Sequence, residues 1–134
     1  MSDNFKKITL NKNFDESLIR DAYLYACHKD IEAIKPGNVN INSPHHDTTA
    51  SDYLISSINS GSELFNDSYS LGDRILSAIV ATKKETQMNT NLGIILLCAP
   101  IAHALLNYKE MSLKEAIAKT IDSATADDLS LIHI

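Results

Sequence analysis

The chain has no tryptophan, only four glycines and three prolines, and two cysteines in 134 residues. So little glycine and proline excludes collagen-like and low-complexity chains. Cys27 and Cys98 stand far apart without the paired spacing of a metal knuckle, so they read as buried free thiols of a reducing compartment. Basic clusters are also scarce. Lys6-Lys7 and Lys83-Lys84 are the basic doublets in a chain of net charge −5, which argues against a surface built for nucleic-acid phosphates. The longest apolar run, Leu92 to Leu106, is interrupted by Pro100 and His103 and is too short to span a bilayer. The opening MSDNFKKITLNKNF lacks the apolar core of a signal peptide, so a cytoplasmic location is expected. No internal repeat is visible, and no segment alternates long enough for a strand; the final LSLIHI does so only briefly.

What is present is a globular composition, 44% hydrophobic and 22% charged, in a length that fits one domain. Apolar positions recur at helical spacing over 15–34, with Leu18, Ile19, Ala22, Tyr23, Ala26, Cys27, Ile31 and Ile34 forming a stripe and Asn13/Glu16 a capping box. Lys35-Pro36-Gly37 ends that helix. A second helix is capped by Ser51 or Thr49, directs Tyr53, Leu54, Ile58 and Leu64 inward, and ends between Gly61 and Phe65. A third covers 71–85 with Leu71, Ile75, Leu76, Ile79 and Val80 inward. Leu92–Tyr108, apolar nearly all round, is expected to be the central helix, and Ser112 with Glu115 opens a last one over 113–123. The expected fold is all-α: about five helices around a buried apolar one.

Two polar clusters compete as the functional site. Residues 35–52 hold Lys35, a mobile cation, Gly37, which permits close backbone approach, Asn38, and then His45, His46, Asp47 and Asp52. The histidines and aspartates suit metal ligation or proton transfer, and equally suit a solvated connector. The His-Asp doublet also occurs in metal-dependent phosphohydrolases, but there the ligands lie on helices. The second cluster is Thr82, Thr86, Asn89, Thr90, Asn91 and Gly93. Its first three members share a helical face, and the rest open the apolar helix, where backbone N–H groups and the helix dipole favour an anion. Ordinary N-capping accounts for the same residues. His103 reads as a core histidine and His28 as a surface one.

In order, EAIKPGNV (32–39), HHDTTASDYLISS (45–57) and ATKKETQMNTNLGIILLCAPIAHA (81–104) resemble the triphosphoribosyl-dephospho-CoA synthase family from about residue 17 to Asp128. The resemblance implies an all-α transferase taking ATP and 3′-dephospho-CoA with Mg²⁺, making the prosthetic-group precursor of citrate and malonate lyases. It implies phosphate or ribose contacts by Lys35, Gly37, Asn38, Thr86, Asn89, Thr90, Asn91 and Gly93. Asp47 with His46 would serve as base, and Asp47 with Asp52 would hold the metal. Citrate-lyase branches carry Val-Asn-Thr-His-Lys-Gly where this chain reads Asn89-Thr90-Asn91-Leu92-Gly93, so the match is to a divergent branch, some of whose members serve one-carbon cofactor pathways. Family members are longer than this chain. It is therefore expected to be their N-terminal half, with 129–134 foreign to the parent fold and apolar faces exposed enough to risk self-association. The rival reading is a non-catalytic helical module that binds a nucleotide or a partner.

Overall fold

The computed structural model describes residues 15–34, 49–86 and 90–132. Among them lie six helices and no strand: α1 Glu16–Glu32, α2 Ala50–Leu64, α3 Leu71–Thr86, α4 Leu92–Asn107, α5 Leu113–Asp122 and α6 Ala126–Ile132. The all-α expectation holds. α6 adds a short helix in the region where the sequence offered only a weak alternation.

The helix starts follow from side-chain capping. Asp15, not Asn13, caps α1 by accepting from the Leu18 N–H at 2.7 Å; Asn13 lies outside the described residues. Thr49 and Asp52 form a reciprocal box at α2, with the Thr49 N–H donating to Asp52 Oδ2 at 2.8 Å and Asp52 N–H to Thr49 Oγ1 at 3.4 Å. Ser112 caps α5 through the Glu115 N–H at 3.3 Å, as its motif predicts.

The apolar stripe of α1 narrows to Ile19, Tyr23, Cys27 and Ile31, one residue per turn, while Leu18 and Ile34 face solvent. α2 departs further from expectation. It runs straight through Gly61, and it buries Ser56, Ser57, Ser60, Gly61 and Leu64 while Ile58 is 61% exposed. Small side chains on this face let neighbouring helices approach closely. The Tyr23 ring lies 3.4 Å from the point where a Cβ on Gly61 would stand. The serine hydroxyls satisfy themselves on preceding carbonyls, Ser56 on Asp52 at 2.8 Å and Ser57 on Leu54 at 2.7 Å, so their burial leaves no orphaned donor.

α3 buries Leu71, Gly72, Arg74, Ile75, Ala78 and Thr82, whereas Val80, expected inward, is exposed. Arg74 is 0% exposed and donates to the carbonyls of Leu64, Asn66 and Tyr69, fastening the α2–α3 connection. α6 is held to the start of α3 by Asp128, whose Oδ1 accepts from the Gly72 N–H at 2.8 Å.

α4 is less enclosed than its composition suggests. Ile95, Ala99, Ala102 and Ala104 are buried, while Leu97 is 68% exposed and Leu92 and Leu96 are partly so. It therefore joins the core along one side. The main core unites α1–α4 through Tyr23, Cys27, Leu64, Phe65, Ile75, Ala78, Ile95 and Ala99. Tyr23 meets Phe65 edge to face, with ring centroids 5.6 Å apart.

Helix directions follow from a few contacts. Asn91 meets Tyr53, while the other end of α2 meets Arg74. Thr82 reaches Ser56. α2 and α4 therefore run alike, and α3 runs against both. Arg74 also feels the charge of Glu16, which places the start of α1 at the Arg74 end and its finish at the Asn91 end. The finish of α1, the starts of α2 and α4 and the last turn of α3 therefore share one end of the bundle.

Candidate functional site

At that end Thr90 and the last turns of α3 are tied to α2 through buried hydroxyls. Ser56 Oγ and Thr90 Oγ1 are hydrogen-bonded to each other, and both residues are buried. Thr82 Oγ1 donates to the Ser56 carbonyl at 3.5 Å, and Thr86 Oγ1 to the Thr82 carbonyl at 3.0 Å. Of the expected threonine–asparagine face, Thr82 is turned toward α2 and Thr86 stands one turn on, while Asn89 lies outside the described residues.

Asn91 occupies the left-handed region at φ 59°, ψ 18°, which asparagine tolerates better than most residues. This conformation turns its side chain away from capping α4. Instead Nδ2 donates to the Tyr53 carbonyl at 2.8 Å, while the Asn91 carbonyl accepts from Ile95 N–H at 2.9 Å. The opening turn of α4 thus receives no side-chain cap from Asn91, unlike those of α1, α2 and α5. Gly93, in that turn, has nothing within 4 Å of a would-be Cβ, leaving room for a ligand to approach the backbone.

Asp52 stands one residue before Tyr53, and its Oδ2 accepts from both Thr49 N–H and Thr49 Oγ1, at 2.8 and 3.0 Å. Its visible hydrogen bonds are those of a helix cap. Among the described residues no group of three or more His, Cys, Asp or Glu stands close enough to hold a metal.

Of the sequence-predicted residues, Asp52, Thr90 and Asn91 come together at one helix end, with Gly93 in the adjoining turn and Thr86 on the last turn of α3. Lys35, Gly37, Asn38, His45, His46, Asp47 and Asn89 lie outside the described residues. Ser56 and Tyr53 are the partners that sequence reading passed over. Tyr53 contributes a carbonyl, which no side-chain pattern can announce. Ser56 belongs to the run Ser56, Ser57 and Ser60, whose helical spacing was the available signal.

Two further histidines lie among the described residues. His28 pairs with Glu32 at 2.9 Å on the surface of α1. His103 packs edge-on to Tyr108, and its buried Nδ1 has no partner. Burial and the nearby Arg74 charge hold its pKa below the ordinary imidazole value. His103 stands toward the finish of α4, away from Asn91, whereas His28 lies one turn before the finish of α1 and points its imidazole to Glu32.

The family model described as ATP:dephospho-CoA triphosphoribosyl transferase matches residues 16–133, most of the chain. Comparisons with curated proteins and with solved structures give no match. No helix among the described residues is long and apolar enough to cross a membrane.

Proposed function

We propose, since the chain belongs to the ATP:dephospho-CoA triphosphoribosyl transferase family, that it joins the triphosphoribosyl group of ATP to the ribose 2′-hydroxyl of 3′-dephospho-CoA. In this reading the 2′-oxygen attacks C1′ of the ATP ribose. The new C1′–O bond forms as the C1′–N9 bond to adenine breaks, and the triphosphate stays on the transferred sugar. The hydroxyl proton passes to a base, and adenine leaves after taking up a proton. The wider form of the same reading is a related ribosyl transfer in cofactor biosynthesis, since the NTNLG motif departs from the citrate-lyase version.

The observation that carries the reading is the tie between the Thr90–Asn91 loop and the start of α2. The loop containing Thr90 and Asn91 is anchored to the start of α2, the helix that follows the Lys35–Asp47 segment. This supports placing both on one ligand. Phosphate and ribose contacts go to Lys35, Gly37, Asn38, Thr86, Asn89, Thr90, Asn91 and Gly93. The first turn of α4, which the Asn91 side chain does not cap, supplies fixed N–H dipoles for phosphate oxygens. Asp47, assisted by His46, takes the hydroxyl proton, and its charge also suits the cationic character that develops at C1′ as adenine departs.

A Mg²⁺ bound to the triphosphate would neutralise its charge and fix its geometry. Asp47 and Asp52 are the carboxylates assigned to it, and a triphosphate-bound Mg²⁺ needs only one or two. Asp52 fits in position, beside Tyr53 and hence beside Asn91. For direct ligation it would use the oxygen not engaged by Thr49, and Oδ2 would stay with the cap.

The test is incubation with ATP, Mg²⁺ and dephospho-CoA, followed by chromatography for free adenine and mass spectrometry of the acceptor. Adenine should appear in equal amount with the triphosphoribosyl adduct, and Asp47→Asn should suppress both. If no adenine forms while ATP and dephospho-CoA are bound, and Asp47→Asn binds them as the parent does, the assignment is wrong.

A further inference from the structure

A groove of about 340 Å³ runs between α1 and α4, within the range of small-molecule sites. Its walls are almost wholly apolar, formed by Ala26 and Cys27 on α1 and by Ile94, Leu97 and Cys98 on α4, with Asp30 at the rim. Asp30 lies in the last turn of α1 and Ile94 in the first turn of α4. One end of the groove therefore lies toward the end of the bundle where Asn91 and Thr90 are anchored, and its lining continues along α4 to Ile101 and Ala102. A second hollow, on the α2–α3 face, is lined largely by polar and charged side chains, among them Glu63, Lys84 and Glu85, and suits an apolar arm less well.

We propose that this groove seats the pantetheine arm of dephospho-CoA while the nucleotide end occupies the Asn91 end of the bundle. The proposal rests on the activity proposed above and names where the acceptor lies. Dephospho-CoA carries, on its 5′-diphosphate, an arm with a gem-dimethyl group, two amides, two ethylene spacers and a terminal thiol. The reacting hydroxyl is on the ribose, so the arm must leave the reaction centre along a separate path. The groove offers one beginning at the right place. Its apolar walls suit the dimethyl and ethylene groups, and its open side lets the amides keep water. Leu97, 68% exposed without a ligand, would be covered by the arm.

The thiols in the wall are compatible with a thiol-bearing ligand. Burial pushes Cys27 up to about 11 and raises Cys98, so both are protonated at neutral pH and poor at disulfide exchange.

The experiment is calorimetric titration of the protein with dephospho-CoA and with ADP, which has the same diphosphate but no arm. The variants are Ala26→Trp, which fills the groove, and Leu97→Glu, which charges it; both positions are exposed, so folding should survive and is checked by circular dichroism. Ile121→Glu, on exposed α5, is the control. Dephospho-CoA is expected to bind at least about tenfold more tightly than ADP, and both groove variants should erase that difference while leaving ADP affinity unchanged. Folded groove variants that bind dephospho-CoA as the parent does would overturn the proposal. If they also release adenine with an unchanged KM for dephospho-CoA, the arm site falls while the activity stands. Loss of the arm's contribution in a protein that never releases adenine would keep the arm site and sink the activity. Failure to bind either compound overturns both. Groove variants that abolish self-association yet leave dephospho-CoA binding intact would make the groove an interface between copies.

Discussion

The Asn91 side chain donates to the Tyr53 carbonyl at 2.8 Å from a left-handed backbone, tying the start of α4 to the first turn of α2. Two properties of asparagine are used at once: tolerance of positive φ, and an amide that reaches another helix. Asn91→Ala should cost about 1–3 kcal/mol, combining backbone strain with a lost, partly buried hydrogen bond. Asn91→Gly should recover the backbone share alone. Urea unfolding of the two variants separates the shares, and adenine release should fall in both because the Thr90–Gly93 loop loses its anchor.

Arg74 should be the most costly charged residue to remove. It is fully buried and serves the carbonyls of Leu64, Asn66 and Tyr69, while its Nε finds no partner. Arg74→Met keeps much of the volume but strands three acceptors, so a loss of about 3 kcal/mol or more is expected in urea unfolding. Arg74→Lys should rescue little, because an ammonium cannot spread donors across three carbonyls as the guanidinium fork does.

The α3–α6 junction makes two predictions. A Cβ on Gly72 would stand 2.6 Å from the Asp128 Cα, so Gly72→Ala should destabilise by about 1–3 kcal/mol, seen as a lower denaturation midpoint. Burial alone would raise the Asp128 pKa, but hydrogen bonds from the Thr125 and Gly72 N–H groups outweigh it and hold the carboxyl below its usual value. A depressed folded pKa means stability that is present above the unfolded carboxylate value and lost as pH falls through the folded one. Asp128→Asn should flatten that acid limb of the stability curve.

His103 titrates with the same sign in a higher window. Burial first, then the Arg74 charge, lowers its pKa beneath the ordinary 6.5. The unfolded chain therefore binds the proton more readily, so stability should decline as pH falls from about 6.5 through the folded value. His103→Phe removes the titrating group and keeps a ring against Tyr108, so stability between pH 7 and pH 5 should become less pH-dependent. Urea midpoints measured across that interval provide the check.

Local chemistry made the sequence informative about elements. Thr49, Asp52, Ser112 and Glu115 mark helix starts because a capping hydrogen bond closes within a few residues. The periods of α1 and α3 are visible for a related reason: a helix repeats its buried face whatever it packs against. The two motifs were also legible, and with them the family, since both are short and ordered along the chain.

What only the tertiary structure decided is which face wins where candidates compete. On α2 the serines and Gly61 go inside and Ile58 stays out, because close helix approach favours small residues and each buried hydroxyl finds a carbonyl. On α4 an all-apolar surface cannot signal which side meets neighbours, and Leu97 is left facing the groove. The burial of Arg74 and the reach of Asn91 to Tyr53 depend on backbone carbonyls brought near by folding, and carbonyls look alike in every sequence. Capping and periodicity are local interactions, readable along the chain; the anchoring of Thr90 and Asn91 on α2 required the bundle to close.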